Sequence, residues 1–293
     1  MRALVTGGAG FIGSNLVDQL ISQNHSVVVI DNESATSNEK FYWIDSAENH
    51  KVDICNLDRI RPLFVGIDVV FHLAAVARIQ PAIENPTETI HINCYGTCNV
   101  LQAARETGVK KVIYSSTSSA YGMNPPPHIE TQNVDCLNPY SVSKVAGEDL
   151  CKMYTKLFGL KTVIFRYFNV YGPREPIRGK YAPVIGLFQR QAKEGIPLTV
   201  VPDGHQRRDF THVSDVVNAN ILAMDQDIEP HYGEVFNIGT GTNHSVLEIA
   251  AMISDKIMFI ESREGESKET LADINKAKEI LKWTPKAILK EQI

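Results

Sequence analysis

The stretch TGGAGFIG, residues 6–13, decides the fold of this 293-residue chain. It follows a short apolar run at residues 2–6 and opens an amphipathic stretch at residues 11–23. The apolar run has the length and composition of a buried strand, and the amphipathic stretch has the period of a helix. The sequence therefore predicts a strand, a glycine-rich turn and a helix in that order.

The glycines of this stretch fit two related dinucleotide-binding patterns. Gly8, Gly10 and Gly13 satisfy G-x-G-x-x-G, and Gly7, Gly10 and Gly13 satisfy G-x-x-G-x-x-G. Glycine is needed because a Cβ atom would block the tight turn or hold a pyrophosphate away from the helix N-terminus. A glycine-rich turn without a ligand is the alternative, and the strand–turn–helix context disfavours it.

Strand and helix patterns alternate along the first part of the chain. Further apolar runs rich in valine and isoleucine lie at residues 26–30, 68–73, 111–116 and 162–168, and amphipathic stretches lie at 87–107 and 140–157. This alternation predicts an α/β fold with a doubly wound parallel sheet of the Rossmann type. Ligands bind such a sheet at the carboxyl ends of its strands.

The alternation ends near Tyr171, where Gly172-Pro173 and Pro176 interrupt it. We expect residues 1–171 to form a dinucleotide-binding domain. Residues 172–212 and 239–293 are predicted to form a smaller C-terminal substrate-binding domain. The helix and strand patterns within residues 213–238 fit a return to the main sheet.

Composition excludes several classes of protein. The formal net charge is −5, so there is no basic excess for binding nucleic acid. The most apolar stretch, residues 68–77, is about half the ~20 residues of a spanning helix, so no membrane span is predicted. The five cysteines show no C-x-x-C and the nine histidines no H-x-x-x-H, so we expect no metal. The N-terminus runs directly into a strand, which is typical of a cytoplasmic protein.

The second predicted strand ends in an acidic residue, Asp31, 18 residues after Gly13. A carboxylate there accepts hydrogen bonds from both ribose hydroxyls of NAD and repels the 2′-phosphate of NADP. A capping Asp is the alternative. Asp53-Ile54 follows a probable third strand and is a candidate for closing over the adenine, although an ordinary loop Asp explains it nearly as well.

A candidate catalytic pair lies on one predicted helix. Tyr140 and Lys144 are four residues apart and therefore share a helix face. A free tyrosine has a pKa of ~10, and a nearby ammonium group favours the phenolate. A solvated helix face is the alternative for the pair alone. However, the hydroxyl-rich stretch YSSTSSAYG, residues 114–122, follows a buried strand and places hydroxyls where a ligand is expected.

These motifs resemble the extended short-chain dehydrogenases/reductases of the nucleotide-sugar epimerase/dehydratase family, and in type the UDP-glucose 4-epimerases. The stretches that carry the resemblance are TGGAGFIG (6–13), HLAA (72–75), SSTSSAYG (115–122), YSVSK (140–144), RYFNVYGP (166–173), RRDFTHVSD (207–215) and ADINKAKEILKW (272–283). The implied cofactor is NAD. Its expected binding residues are Gly7, Gly10, Phe11, Ile12, Gly13, Asp31, Asn32, Asp53, Ile54, Leu73, Ala74, Ala75, Tyr140 and Lys144.

The resemblance also implies roles around the substrate. Tyr140 resembles the base that takes the proton of the sugar 4-hydroxyl, Lys144 the group that binds the nicotinamide ribose and lowers the tyrosine pKa, and Thr117 the hydroxyl that bonds the 4-oxygen. Asn169 resembles the amide that contacts the sugar-nucleotide diphosphate. The remaining implied residues are Arg208 and Arg263, which grip that diphosphate, and Thr270, which lines the pocket near the C2 substituent. Surface ion pairs are the alternative for the arginines, and a solvent-facing side chain is the alternative for Thr270.

The hydroxyl-rich stretch also discriminates between reactions. The family's 4,6-dehydratases carry Asp-Glu after the catalytic Thr, whereas this chain has Ser118-Ser119. The resemblance therefore implies epimerisation at C4 of a UDP-sugar through a 4-keto sugar. A nucleotide-4-ketosugar reductase, another nucleotide-sugar epimerase and a non-catalytic NAD sensor remain alternatives. The helices predicted at 87–107 and 140–157 resemble those of the family's homodimer, although they would equally serve internal packing.

Overall fold

The computed structural model describes residues 1–35, 38–178, 182–261, 265 and 267–293. Its strands are β1 (Arg2–Thr6), β2 (Ser26–Asp31), β3 (Glu48–Lys51), β4 (Val69–His72), β5 (Lys111–Thr117), β6 (Lys161–Tyr167), β7 (Val170–Tyr171), β8 (Leu198–Val200), β9 (Arg207–Asp209), β10 (Thr211–His212), β11 (Val235–Ile238), β12 (Asn243–Ser245) and β13 (Ile257–Phe259). Its α-helices are α1 (Phe11–Ser22), α2 (Leu57–Ile60), α3 (Ile79–Glu84), α4 (Pro86–Ile90), α5 (Thr97–Thr107), α6 (Pro139–Phe158), α7 (Val184–Lys193), α8 (Val213–Asp225), α9 (Val246–Ile253), α10 (Asn275–Ile280) and α11 (Leu289–Gln292).

Seven strands form one parallel sheet in the order β11-β6-β5-β4-β1-β2-β3. The chain winds outward in both directions from β1, so the order reverses between β1 and β4. Loops that follow these two strands diverge and leave a crevice at the carboxyl edge of the sheet. The predicted doubly wound parallel sheet is confirmed.

Helices cover both faces of this sheet. Along β1, Ala3 and Val5 belong to one hydrophobic core, and Leu4 belongs to the other, as the two-residue period of a strand requires. Helices α1 and α8 pack on the first core, and α5 and α6 pack on the second. No helix within the described ranges is long and apolar enough to cross a membrane.

The predicted helix at residues 87–107 is divided into three parts in the structure. Helix α4 is followed by a π-helical turn, His91–Gly96, and then by α5. Two distant contacts accompany the irregular turn. Asn93 bonds the backbone of Val76, and a Cβ atom on Gly96 would lie 2.6 Å from Cδ1 of Ile54. The sequence did not predict this turn, because the helical period continues on both sides of it. The residues that contact it, Val76 and Ile54, are also distant in sequence.

The chain after β7 builds a smaller third core beside the carboxyl edge of the sheet. Its strands form two-stranded pairs, β7 with β10, β9 with β12 and β8 with β13. Phe188, Leu198, Phe210 and Ile249 are buried together in this core. Strand β11 leaves the region and pairs with β6 of the main sheet. The division into a cofactor domain and a substrate domain stays a prediction.

Candidate active site

A cavity of about 760 Å³ lies at the carboxyl edge of the main sheet and extends to the smaller core. Seventeen of the residues expected from the sequence line it: Gly7, Gly10, Phe11, Ile12, Gly13, Asp31, Asn32, Ile54, Leu73, Ala74, Ala75, Thr117, Tyr140, Lys144, Asn169, Arg208 and Thr270. Asp53 is not among its lining residues, and Arg263 lies outside the described residues. The residues expected for cofactor and substrate therefore share one continuous space.

The glycine-rich turn has no room for side chains at two of its positions. Gly7 has a φ of +70°, and a Cβ atom on it would lie 2.8 Å from the backbone nitrogen of Ala74. A Cβ atom on Gly13 would lie 2.1 Å from the carbonyl oxygen of Gly7. Helix α1 begins at this turn without a side-chain cap. The first N–H groups of α1 therefore lie beside a space that only glycine leaves open. This arrangement suits the binding of a pyrophosphate.

The carboxylate of Asp31 is fixed by backbone donors at the end of β2. Its Oδ2 accepts a hydrogen bond from the N–H of Ala9 at 3.1 Å, and its Oδ1 accepts one from the N–H of Glu33 at 2.8 Å. Burial raises the pKa of Asp31, and these hydrogen bonds act in the opposite direction. Asp31 also lines the cavity, so its fixed carboxylate is part of the cavity wall.

Asp53 acts on a neighbour in the structure. Its Oδ2 accepts a hydrogen bond from Nδ2 of Asn32 at 3.0 Å, and its Oδ1 accepts one from the N–H of Cys55 at 2.7 Å. Asn32 lines the cavity, so Asp53 orients a residue of the cavity wall. Direct contact between Asp53 and an adenine stays a prediction.

Tyr140 and Thr117 meet where β5 ends and α6 begins. The hydroxyl of Tyr140 is hydrogen-bonded to Thr117, the last residue of β5. Helix α6 has a complete capping box, in which the Asn138 side chain accepts from the N–H of Ser141 and the Ser141 hydroxyl pairs with the N–H of Asn138. This cap lies two residues before Tyr140 and fixes the helix start, and so fixes the phenol against the end of the sheet.

The charges around Tyr140 differ from the sequence-based expectation. Burial raises the pKa of Tyr140, while its hydrogen bond to Thr117 and the positive charge of Arg78 lower it. Burial also lowers the pKa of Lys144 to about 8. Arg78 is the cation that lowers the pKa of Tyr140 in this structure, and the expected effect of Lys144 on Tyr140 stays a prediction. Arg78 lies six residues after His72 at the end of β4, and the sequence pattern did not single it out.

Tyr114 contacts Lys144 through both its hydroxyl and its ring. Its hydroxyl donates to the carbonyl oxygen of Lys144 at 3.1 Å, and Nζ of Lys144 lies 4.3 Å from the centre of its ring. The same hydroxyl would lie 2.1 Å from a Cβ atom on Gly147, so the helix can approach the ring only with glycine there. This role was not predicted, because Tyr114 is far from Lys144 in sequence.

The π-helical turn joins the cavity wall to the catalytic helix through Asn93. Its Oδ1 accepts from the N–H of Val76 at 2.8 Å, and its Nδ2 donates to the carbonyl of Val76 at 3.1 Å and to Oγ of Ser143 at 2.9 Å. Asn93 is almost fully buried. π-Helical turns often occur at functional positions. The irregular turn is therefore the signal that could have pointed to Asn93.

A buried ion pair lies one turn beyond Lys144. Glu148 accepts from Nε and Nη2 of Arg166 at 2.8 and 2.7 Å and from the hydroxyl of Ser116 at 2.6 Å. Its negative charge raises the pKa of Lys144, against the larger effect of burial. The pair thus ties α6 to β5 and β6 and favours the protonated form of Lys144.

Three expected substrate residues line the cavity, and two of them are hydrogen-bonded to each other. Nδ2 of Asn169, which has a φ of +29°, donates to Oγ1 of Thr270 at 3.2 Å and to the carbonyl of Asp209 at 3.1 Å. Thr270 is only 5% exposed, so the solvent-facing alternative for it is wrong. Arg208 donates from Nη1 to the carbonyls of Arg207 and Lys268 at 3.0 and 3.2 Å, and it also lines the cavity.

Metal ligation has no obvious place in this site. Across the described ranges, no group of three or more His, Cys, Asp or Glu side chains is arranged to hold a metal ion. The absence of a metal stays a prediction for the chain as a whole.

Comparison with known proteins identifies close relatives over nearly the whole chain. The family model described as the NAD dependent epimerase/dehydratase family matches residues 3–239. A putative UDP-glucose 4-epimerase from Methanocaldococcus jannaschii is 38% identical, covering 99% of this chain and 95% of that protein. A UDP-N-acetyl-alpha-D-glucosaminuronate decarboxylase from Bacillus cytotoxicus is also 38% identical, covering 97% of this chain and 92% of that protein. The solved structure of Thermotoga maritima UDP-glucose 4-epimerase with UDP-glucose is similar, with a TM-score of 0.94, 34% identity and coverage of 100% and 96%.

Proposed function

This chain belongs to the NAD dependent epimerase/dehydratase family, and from that premise we propose that it inverts the configuration at C4 of a nucleoside-diphosphate sugar. The resemblance that its motifs indicated is thereby confirmed. The observation that carries the proposal is the Tyr140–Thr117 pair at the carboxyl end of β5, with Lys144 one turn away on the same helix face. A base, a hydroxyl and a cation in this order suit the removal of a proton from a secondary alcohol.

The cofactor of this family is NAD, and the residues of the chain fit it. The space left by Gly7 and Gly13 suits the pyrophosphate, and the fixed carboxylate of Asp31 suits the adenine ribose. Lys144 suits the nicotinamide ribose because it lines the cavity and lies one helical turn after Tyr140 on α6. When bound, NAD accepts a hydride equivalent from the sugar and returns it.

The chain's own residues then move the proton and hold the oxygen. Tyr140 takes the proton of the 4-hydroxyl as phenolate, and its pKa is held down by Thr117 and Arg78 against the effect of burial. Thr117 donates to the 4-oxygen in the keto stage. Tyr140 returns the proton when the opposite face of the sugar is reduced. Arg208 and Asn169 anchor the diphosphate, so the sugar turns while its nucleotide stays bound.

The residues after Thr117 favour epimerisation over elimination of water. Ser118 and Ser119 replace the Asp-Glu pair that the resemblance associates with dehydratases. A hydroxyl is neither a carboxylic acid nor a carboxylate base. Decarboxylation is the competing reaction, because one 38% identical relative is a decarboxylase. The decarboxylating members of the family keep the Glu of that pair, which this chain lacks, so we favour epimerisation.

For the substrate, we favour UDP-glucose and UDP-galactose, with the N-acetylated pair also accepted. Thr270 supports the acceptance of N-acetylated sugars, because it is small and its hydroxyl oxygen accepts hydrogen bonds from Asn169 and from the N–H of Asp209. The proton of that hydroxyl is then available to an acetamido oxygen. A cytoplasmic location remains a prediction from the sequence.

We also propose that the chain forms a homodimer through α4 to α6. Ile90, Tyr95, Val142 and Leu157 are apolar, lie on this helical layer and are 39–66% exposed. A second copy would remove them from water. Sedimentation analysis tests this, since a monomer at micromolar concentration would contradict it.

Incubation of the purified protein with UDP-glucose, without added cofactor, tests the proposed reaction. An epimerase with tightly held NAD yields UDP-galactose, whereas a 4-ketosugar reductase or a non-catalytic NAD sensor yields no product.

Replacing the base, Tyr140→Phe, should reduce turnover by about 10²- to 10⁴-fold with NAD still bound. Tyr232→Phe is the matched control, because its hydroxyl bonds Asp227 at the surface and is not part of the cavity wall. Near-normal turnover by Tyr140→Phe would refute the proposed chemistry.

A further inference from the structure

Arg174 has a backbone conformation that an arginine rarely adopts. Its φ is +71°, in the left-handed region, where a Cβ atom is sterically disfavoured. A glycine would adopt this conformation without that cost. Strained residues of this kind persist where the surrounding structure fixes them, and they are frequent at ligand clamps. The strain at Arg174 therefore points to a use of its side chain.

The turn formed by residues 172–175 is anchored to α1 and closed by its own hydrogen bonds. Nδ2 of Asn15 in α1 donates to the carbonyl oxygen of Pro173 at 3.0 Å. The N–H of Glu175 donates to the carbonyl oxygen of Gly172 at 3.1 Å, and Oε1 of Glu175 accepts from the N–H of Gly172 at 3.3 Å. Glu175 is also buried. The turn therefore has a fixed position beside α1.

The guanidinium group of Arg174 extends from this turn to the segment formed by residues 38–43. It forms an ion pair with Asp18 of α1, and its Cζ lies 5.2 Å from the centre of the Tyr42 ring. A guanidinium over a tyrosine ring is attracted by the negative face of the ring. The N–H of Tyr42 also donates to the carbonyl oxygen of Ala9, in the glycine-rich turn, at 2.8 Å. Arg174 and the glycine-rich turn therefore hold the same residue of the 38–43 segment.

The 38–43 segment lies beside the space that suits the pyrophosphate of NAD. Asn38 and Phe41 line the main cavity together with the glycine-rich turn. Nδ2 of Asn38 would lie 4.0 Å from a Cβ atom on Gly10. The segment forms neither a helix nor a strand, so its position depends on side-chain contacts and single hydrogen bonds.

A second cavity, of about 200 Å³, lies between this segment and the chain that carries Arg174. Residues of 38–42 and 174–177 line it, and Asn38 and Pro176 line both this cavity and the main one. The two segments are therefore not joined by a continuous apolar core, and few contacts have to break for them to separate. Their separation would open the main cavity at the end where the glycine-rich turn lies.

Arg178 makes a further contact with the 38–43 segment, an ion pair with Glu39 at 3.4 Å between Nε and Oε1. The Arg178 and Glu39 side chains are 61% and 43% exposed, and exposed pairs of this kind contribute little to stability. The Arg174 side chain is 27% exposed and contacts both a carboxylate and a ring. Arg174 is therefore the stronger of the two contacts.

We propose that Arg174 is a positioning residue, which holds the 38–43 segment against the glycine-rich turn and thereby slows the release of NAD. It acts through Tyr42 and needs no contact with the cofactor itself. NAD is the cofactor of the family, so the proposal does not depend on which sugar the protein converts. Slow release suits the proposed epimerisation, because the cofactor is regenerated within one turnover.

Displacement of bound NADH by excess NAD, followed by NADH fluorescence, tests the proposal on the whole chain. Arg174→Gln should raise the dissociation rate of NADH by about 10-fold, the combined effect of one cation–π contact and one ion pair near the surface. Lys161→Gln is the matched control. Lys161 also pairs with a carboxylate, that of Asp227, and lies 4.7 Å from the centre of the Tyr232 ring. It is the first residue of β6, at the edge of the sheet opposite the cavity, and should leave the rate unchanged.

A glycine variant separates retention of the cofactor from folding. Arg174→Gly removes the side chain and the backbone strain together, so it should release NADH as fast as Arg174→Gln while its melting temperature stays close to the native value. If Arg174→Gln does not fold, the glycine variant carries the test. Native-like release from the folded Arg174 variants would overturn the proposal. So would an equal acceleration by Lys161→Gln.

Two variants of Tyr42 test the contact through which Arg174 acts. Tyr42→Phe keeps the ring and should release NADH at the native rate, whereas Tyr42→Leu should release it about as fast as Arg174→Gln. Equal rates for the two Tyr42 variants would overturn the role of the ring and with it the proposal. The measurement uses no sugar nucleotide, so failure of the proposed epimerisation would appear only in the turnover assay and leave this result readable.

Discussion

We expect Asp31 to determine the choice of cofactor through a single carboxylate that is held by two backbone N–H groups. A 2′-phosphate carries about two negative charges, and the following residues, Asn32, Glu33 and Ser34, include no arginine to bind it. We expect the protein stripped of its cofactor to bind NAD at least ~10-fold more tightly than NADP in a fluorescence titration. Asp31→Asn should narrow this difference, and Asp58→Asn on the exposed α2 should not. Equal affinity of the native protein for both cofactors would contradict the assignment.

Thr270 gives a second prediction for a single residue. It is buried beside Asn169 and lines the cavity, so an aromatic ring at this position would take up cavity space. Steric exclusion acts by unfavourable contacts, so Thr270→Tyr should lower kcat/KM for UDP-N-acetylglucosamine at least ~10-fold more than for UDP-glucose. Thr270→Ser keeps a small hydroxyl residue and serves as the control. If the native protein does not process the N-acetylated sugar, or if tyrosine leaves the ratio unchanged, Thr270 does not limit the C2 pocket.

Residues of the site were predictable where local sequence carries their chemistry. Asp31 follows a recognisable strand, and the spacing of Tyr140 and Lys144 places them on one helix face. Arg78 and Tyr114 were not predictable in the same way. Their roles depend on contacts with α6, 30 or more residues away in sequence, and such contacts exist only after the sheet has formed.

At the scale of an element, the turn from β1 into α1 is a tightly constrained segment of the fold. A Cβ atom on Gly13 would lie 2.1 Å from the carbonyl of Gly7, and α1 cannot retreat because it packs against α8. Gly13→Ala should therefore destabilise the protein by about 1–3 kcal/mol in urea unfolding and abolish NAD binding. Gly10→Ala is the graded comparison, because its Cβ would lie 3.3 Å from the same oxygen. An equal loss of stability in both variants would contradict the steric explanation.

Elements were predictable where one periodicity extends over the whole segment. The buried strands β1, β4 and β5 and the long helix α6 differ from the predicted ranges by at most two residues at either end. Strand β3, with the sequence ENHK, has no apolar pattern because it lies at the sheet edge and is bound on one side only. The break of the helix at 87–107 follows from Asn93 and Gly96, whose partners lie in other elements.

At the scale of the whole molecule, Asp215 joins the C-terminal segment to α8. Its carboxylate accepts from the N–H groups of Lys286 and Ala287 at 2.9 and 3.0 Å, and its carbonyl accepts from Nε1 of the fully buried Trp283 at 3.0 Å. Asp215→Asn replaces a charged acceptor with a group that also carries donors. We expect a loss of about 1–3 kcal/mol in the free energy of unfolding.

Limited proteolysis supplies the second measurement for this variant. Asp215→Asn should expose the chain beyond Trp283 to cleavage at low protease concentration. Asp225→Asn, at the exposed end of the same helix, should behave like the native protein. Native-like stability and protection of Asp215→Asn would show that the C-terminal segment is held by its apolar contacts alone.

The bridge made by Asn93 has a mechanical consequence for the way the two ligands are recognised. One buried amide holds Val76, two residues before Arg78, and also holds Ser143, the neighbour of Lys144. A displacement of either backbone segment must break at least one of these hydrogen bonds. We therefore expect the cavity wall before α3 and the helix α6 to move as one unit, so that binding of one ligand affects the position in which the other binds.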